Sequence, residues 1–452
     1  MDAGLGGINV TLARKATVTL RHWFPVEQRW FRWGLAAHLV TLLLLAHAYD
    51  MAVFRDVSER LLRGEGIYAP FSSWLQRHGD GYYAYPPLYA YLLWVSGWVA
   101  SLFGSSHWWV HHLLIKAWMV LADLVVFAFL RHLNPDAAKT YWRLWFVPVA
   151  AIALVQPDLW VGFLVLLAFH FARQERWQAV GLALAAGIGL KIVPLVIVPF
   201  LILALLRRRQ WTAVGKLTGA LVVGLVVVWL PYAVLFGDAI QFMQVIEYHL
   251  SRPPSGLTAA AGARILIDVS WAVQALVAPE PLGPAAFAIT DQQLDTFYRV
   301  ITPLALILLG SAALMRRLSL AQTFTLPLLA FLLVNRVVNE QHLLQVLPLL
   351  LLTNPSAIAR LTLPYSIYLL AAGTPLRLFP QEYGLPLSLE ALLPEALRQG
   401  AALPIGLVLA IATGGAALLF SYRIAQLIRE AWGAEGAADI PGALLRPERV
   451  RT

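Results

Sequence analysis

Lys191 interrupts a nearly unbroken apolar run, Gly187 to Pro199, that reads G-I-G-L-K-I-V-P-L-V-I-V-P. An ammonium in such a setting requires an anionic partner, a wet cavity or a reach to an interface. Two other polar clusters share this odd setting. One is Tyr49-Asp50 after the first apolar run; the other is N-R-V-V-N-E-Q-H, Asn335 to His342, between two late runs. A cation, a carboxylate and hydrogen-bonding amides set among apolar segments suit a membrane-embedded site for a substrate carrying negative charge.

Each candidate also has a plainer use. Asp50 can cap the helix that follows it, or serve as a carboxylate base at the membrane surface, and capping does not exclude the second role. Lys191 can snorkel to the boundary on its apolar stem or hold a phosphate. Gln156 and Asp158 lie at a turn that, with Lys191, lines an outward-facing cavity. Arg336 and Glu340 make an i,i+4 salt bridge if that stretch is helical; Gln341 and His342 are candidates for sugar hydroxyls or a phosphate. His249 and Arg252, in H-L-S-R-P-P, read equally well as ordinary loop residues. Lys116 and Asp123 share one helix face, and Asp123 is expected to pair across the bundle. Arg264 and Asp268 read the same way. His107, His111 and His112 lack a carboxylate to complete a metal site, so neither metal nor cofactor is expected.

The elements that must position these residues are apolar helices. The chain has 452 residues, 59% hydrophobic and 13% charged, which is far outside soluble composition. Runs 31–49, 110–130, 214–236, 298–315 and 402–422 are long enough to cross a hydrocarbon core. The fold class expected is an all-α polytopic membrane bundle. There is no Cys, so disulfides and thiolate chemistry are excluded. The net charge of +9 is scattered over short loops, which fits positive-inside topology and not nucleic-acid binding. The first run begins too late to read as a cleaved signal peptide.

Basic loops place both termini in the cytoplasm, with residues 1–30 before a single membrane domain (31–422) and a tail over 423–452. Outside turns then fall at Gln156 to Asp158, Lys191 to Pro194, 237–260, 335–342 and 375–400. Runs 144–157, 159–172, 178–190 and 194–206 are too short for a comfortable crossing, a feature tolerated only against protein or a cavity. Within the outer region 50–104, Asp50 to Arg63 has amphipathic helical spacing, with Asp56 and Glu59 on the solvent face, and Gly64-Glu65-Gly66 stops it. The stretch from Tyr85, opened by two prolines, reads as a helix lying along the outer face or re-entering it. The alternative is that it spans and the charge rule fails once.

The chain resembles the integral-membrane glycosyltransferases of the GT-C type that use a polyprenyl-phosphate sugar as donor. It is most similar to bacterial mannosyltransferases of the glycosyltransferase 87 kind and more distantly to the catalytic subunit of GPI mannosyltransferase I. The likeness runs over about residues 30–350, through Y-D-M-A-V-F (Tyr49 to Phe54), G-E-G-I-Y-A-P (Gly64 to Pro70), Y-P-P-L (Tyr85 to Leu88), G-L-K-I-V-P (Gly189 to Pro194), L-P-Y-A-V-L-F-G (Leu230 to Gly237) and N-E-Q-H (Asn339 to His342). Order and spacing carry it more than any one motif.

The resemblance implies Asp50 as base and Lys191 at the donor phosphate, with Arg336, His342, Arg252 and His249 as further phosphate partners. Tyr49, Asn339, Gln341, Gln156, Asp158 and Tyr85 would then serve the sugar or acceptor. The implied partners are a polyprenyl-phosphate sugar, a lipid or glycan acceptor and the bilayer, at the outer face of a bacterial inner membrane. The implied reaction is a single inverting displacement. A transporter or lipid-linked sugar flippase is the rival class, because broken helices and buried charge also mark transport sites; a membrane scaffold is the plainest alternative.

Overall fold

A computed structural model describes residues 23–68, 83–104, 108–153, 155–251, 255–277, 318–372, 376–378 and 402–433, with part of 296–311. The fold is all-α. Three helices among the described residues are long and apolar enough to cross a membrane: Trp109–Leu133, Trp211–Phe236 and Leu407–Trp432. These contain the expected runs 110–130 and 214–236 and most of 402–422. Run 298–315 lies partly outside the described residues.

Run 31–49 is not one helix. Helix α1 covers Arg29–Leu44, and the chain then turns extended as β1, Leu45–His47. Strand β1 pairs antiparallel with β4, Leu376–Leu378, so tertiary pairing ends α1 where hydropathy alone would continue it. The ammonium of Lys116, fully buried, caps the end of α1: it donates to the carbonyls of Thr41, at 2.9 Å, Leu42, at 3.1 Å, and Leu45. Carbonyls left over at a helix C-terminus are natural partners for a cation. Asp123 is paired across the bundle as expected, with His38 and Tyr141.

Helix α2, Ala48–Leu62, buries Met51, Val53, Phe54, Val57 and Leu61 and turns Arg55 outward. The amphipathic spacing is therefore realised, with two differences, the first being that Leu62 of the apolar set is exposed. Glu59 pairs with Arg55 at 3.1 Å on the outer side. Asp56 instead tilts inward, has one carboxylate oxygen buried without a partner among the described residues, and burial holds its carboxyl above the usual range.

Helix α3, Pro87–Ser101, opens on proline as expected. It packs along α2, where the Ser58 hydroxyl donates to the Leu93 carbonyl at 2.8 Å. The short runs are short helices: α4, Phe146–Ala153; α5, Asp158–Arg173; α6, Trp177–Leu190; and α7, Ile197–Arg207. The long apolar helix Trp211–Phe236 is α8. Beyond it, 237–260 is not simply a loop, because Phe242–Ser251 forms helix α9, which carries His249.

Asn335 to His342 breaks helical structure as expected. Helix α10, Leu320–Val334, ends at Asn335; Val337–Val338 forms β3, parallel to Ser255–Gly256 (β2); and Glu340–Gln345 is a 3-10 helix leading to α11, Leu347–Thr353. Val337–Val338 being strand, Arg336 and Glu340 do not share a helix face, and the Glu340 side chain lies outside the described residues.

Candidate functional site

The site is built where α5 begins and α6 ends. These helices run antiparallel through the short turn 174–176, so the first residue of one, Asp158, lies beside the residue capping the other, Lys191. The Lys191 ammonium donates to both carboxylate oxygens of Asp158, at 2.9 and 3.0 Å. Asp158 is fully buried and the Lys191 side chain 13% exposed. Lys191 thus reaches an anionic partner inside the protein. Its ammonium has three donors, and beyond the two contacts to Asp158 it makes no further hydrogen bond among the described residues.

The 3-10 helix closes this pair from the other side. Residues three apart eclipse on a 3-10 helix, so His342 and Gln345 share a face. Gln345 donates its amide to Asp158, and His342 lies within electrostatic reach of Lys191, Asp158 and His249. The fit depends on Gly162, one turn after Asp158 on the same face of α5. A Cβ there would stand 2.3 Å from the Leu344 carbonyl oxygen. The helix and the 3-10 turn can therefore approach backbone to backbone.

Aromatic residues of 83–89 join this cluster to Asp50. Tyr85 donates to Gln156, and the Lys191 ammonium is 5.8 Å from the Tyr85 ring centre. Tyr89 donates to the Val155 carbonyl, and its ring stands 5.4 Å from that of Tyr85 and 5.3 Å from that of Phe54, one turn beyond Asp50 on α2. Tyr89 is in electrostatic reach of both Asp50 and Asp158. Asp50 and Lys191 consequently lie at the same end of the bundle.

Asp50 is not the helix cap. That position belongs to His47, and Asp50 sits in the first turn with its carboxylate 2.8 Å from His47 Nδ1. The helix begins early because β1 fixes the backbone through His47. A carboxylate in the first turn is favoured by the helix dipole, and the Asp50 side chain keeps 20% of its exposure.

The remaining predicted residues divide. His249 stands 3.2 Å from the Ala84 carbonyl, at the mouth of the same cluster. The Asn339 backbone N–H donates to His342 Nδ1 at 3.0 Å, so Asn339 helps fix that ring. Gln341 is buried, and its carbonyl oxygen has no partner among the described residues. Arg336 is buried with its guanidinium 5.9 Å from the Tyr298 ring centre. The Tyr49 side chain, Arg252 and the Glu340 side chain lie outside the described residues. No group of three or more metal-ligating side chains gathers among the described residues.

Two residues escape sequence reasoning. Gln345 follows His342 by three positions, a spacing that matters only once the segment is known to be 3-10. Asp238, buried beyond the end of α8, clamps the loop after α2. It accepts from the Tyr68 N–H at 2.8 Å and from the Tyr232 hydroxyl at 2.5 Å, while that hydroxyl accepts from the Ile67 N–H at 3.0 Å. Gly66 makes room for it: a Cβ there would lie 2.2 Å from the carboxylate. Gly66→Ala is expected to push Asp238 off its partners and cost on the order of 1–3 kcal/mol, read as a lowered melting midpoint in detergent. An unchanged midpoint would show that the clamp yields without loss.

A cavity of about 490 Å³ lies at the other end of the bundle, lined in part by Arg173, Trp177, Arg208, Asn354 and Glu430. Arg360 pairs with Glu430 there at 2.6 Å. Arg173 and Trp177 are the ends of α5 and α6 opposite Asp158 and Lys191, so this cavity and the polar cluster occupy opposite ends. No protein-family model matches the chain, and neither a curated protein nor a solved structure shows significant similarity to it.

Proposed function

We propose that this chain is a multi-pass membrane glycosyltransferase of the GT-C type, moving a hexose, mannose first among them, from a polyprenyl-phosphate donor to a lipid or glycan hydroxyl at the outer membrane face. One observation carries the reading: a partly exposed carboxylate, Asp50, and a recessed lysine, Lys191, share one end of an apolar bundle, linked through Tyr85 and Tyr89. The recess follows from helix length. Sixteen residues in α5 and fourteen in α6 extend about 24 and 21 Å, short of a hydrocarbon core of roughly 30 Å. Their polar ends sit below the leaflet surface, at a depth a lipid-linked phosphate can reach.

In this reading Asp50 takes the proton of the acceptor hydroxyl while its oxygen attacks the anomeric carbon. The bond from that carbon to the phosphate oxygen breaks, and the phosphate leaves with the electron pair. The remaining Lys191 N–H meets the charge that develops on the leaving phosphate, an interaction stronger in the transition state than in the ground state. Asp158 offsets part of the Lys191 charge, which keeps the resting site near neutral.

The test is transfer of radiolabelled hexose from polyprenyl-phosphate-mannose and -glucose by the purified chain in nanodiscs, with glycolipid products separated. Label in a new glycolipid or glycan is the expected result. A paired charge at a broken helix also fits a translocation site, which predicts movement of intact donor between leaflets with no new glycosidic product.

A further inference from the structure

We infer that Gln345 is a specificity-determining residue that accepts a hydrogen bond from one hydroxyl of the transferred sugar. The inference rests on the glycosyltransferase reading and deepens it. Gln345 is 2% exposed, its amide N–H₂ donates to Asp158, and its carbonyl oxygen has no partner among the described residues. The orientation is forced, because turning the amide over would set its oxygen against a carboxylate. A buried carbonyl oxygen without a donor is a cost, and a ligand hydroxyl relieves it.

Chemistry selects the ligand group. An acceptor-only oxygen repels phosphate oxygens and welcomes O–H, so beside a lysine suited to phosphate it marks the sugar side of the donor. The Gln345 amide is tethered to the buried Asp158 carboxylate, on a backbone held by the close approach of Leu344 to Gly162, so the carbonyl is not free to follow the ligand. Fixed acceptors discriminate strongly, because a sugar lacking the hydroxyl leaves the oxygen unpaired.

The experiment compares kcat/KM for polyprenyl-phosphate hexoses carrying a single deoxy position each, with wild type and Gln345→Met. Wild type is expected to reject one deoxy donor by about 10- to 100-fold more than the others. Gln345→Met, of similar volume, is expected to erase that difference while also slowing the full hexose. Equal use of all deoxy donors by wild type overturns the inference and leaves the transferase reading standing, as does discrimination that survives in Gln345→Met. No transfer from any hexose by wild type removes both. Gln345→Asn, which draws the carbonyl back by one methylene, is the second variant if Gln345→Met does not fold: loss of the discrimination supports the inference, and its survival overturns it.

Discussion

Asp50→Asn is expected to reduce hexosyl transfer by about 100- to 10,000-fold, the usual worth of a general base, with donor binding and melting midpoint close to wild type. The magnitude separates the two uses of this residue. Asn keeps the shape of Asp and can still pair with His47, whose Nδ1 lies 2.8 Å from the carboxylate. A purely structural Asp50 therefore loses mainly its interaction with the helix dipole, about 0.3–1 kcal/mol. A 100-fold loss of rate corresponds to about 2.7 kcal/mol, too large for that source at a partly exposed position. Donor binding, followed by photo-crosslinking of a polyprenyl-phosphate sugar, should persist, because the proposed phosphate anchor is Lys191 and not Asp50. Near-wild-type turnover would remove Asp50 as the base and return it to helix stabilisation.

How far the chain could be read before its structure depends on the range of the interaction. Local signals carried well. The apolar spacing Val53, Phe54, Val57 and Leu61 is the buried face of α2, with Leu62 left outside it, the prolines at 86 and 87 open α3, and the polar turns at 156–158 and 191–194 separate short helices. Charge patterning grouped Gln156, Asp158 and Lys191 at one face because loop polarity accumulates along the whole chain.

Pairing was less legible, since a partner 33 positions away leaves no periodic mark. Lys191 was recognisable as anomalous, but not as the partner of Asp158. The end of α1 at Leu44 depends on β4, more than three hundred residues later, and hydropathy does not report strand pairing. Asp238 looked like loop polarity because its partners, the backbone after Gly66 and Tyr232, meet only in the folded chain. The 335–342 break was visible, but its conformation was not: with strand then 3-10 helix, Gln345 joins His342, and Arg336 and Glu340 do not share a helix face.

The Lys191–Asp158 pair supplies the second large effect, and a series of variants divides folding from chemistry. Lys191→Met strands a fully buried carboxylate, and breaking a buried pair from one side costs about 3–5 kcal/mol. That variant is expected to melt early and to lose transfer, which by itself does not say why. Asp158→Asn alone should fold, since the amide oxygen can still accept from Gln345 and Lys191. With the Lys191 charge less offset, its KM for the polyprenyl donor is expected to fall. The double variant Lys191→Met with Asp158→Asn removes both charges together and should regain most of the melting midpoint lost in Lys191→Met. If Lys191 holds the leaving phosphate, this restored fold remains inactive, with turnover down by at least about 100-fold, the scale seen when one transition-state donor is removed. Transfer that returns along with stability would make the pair a structural staple between α5 and α6 and would leave the phosphate without its proposed anchor.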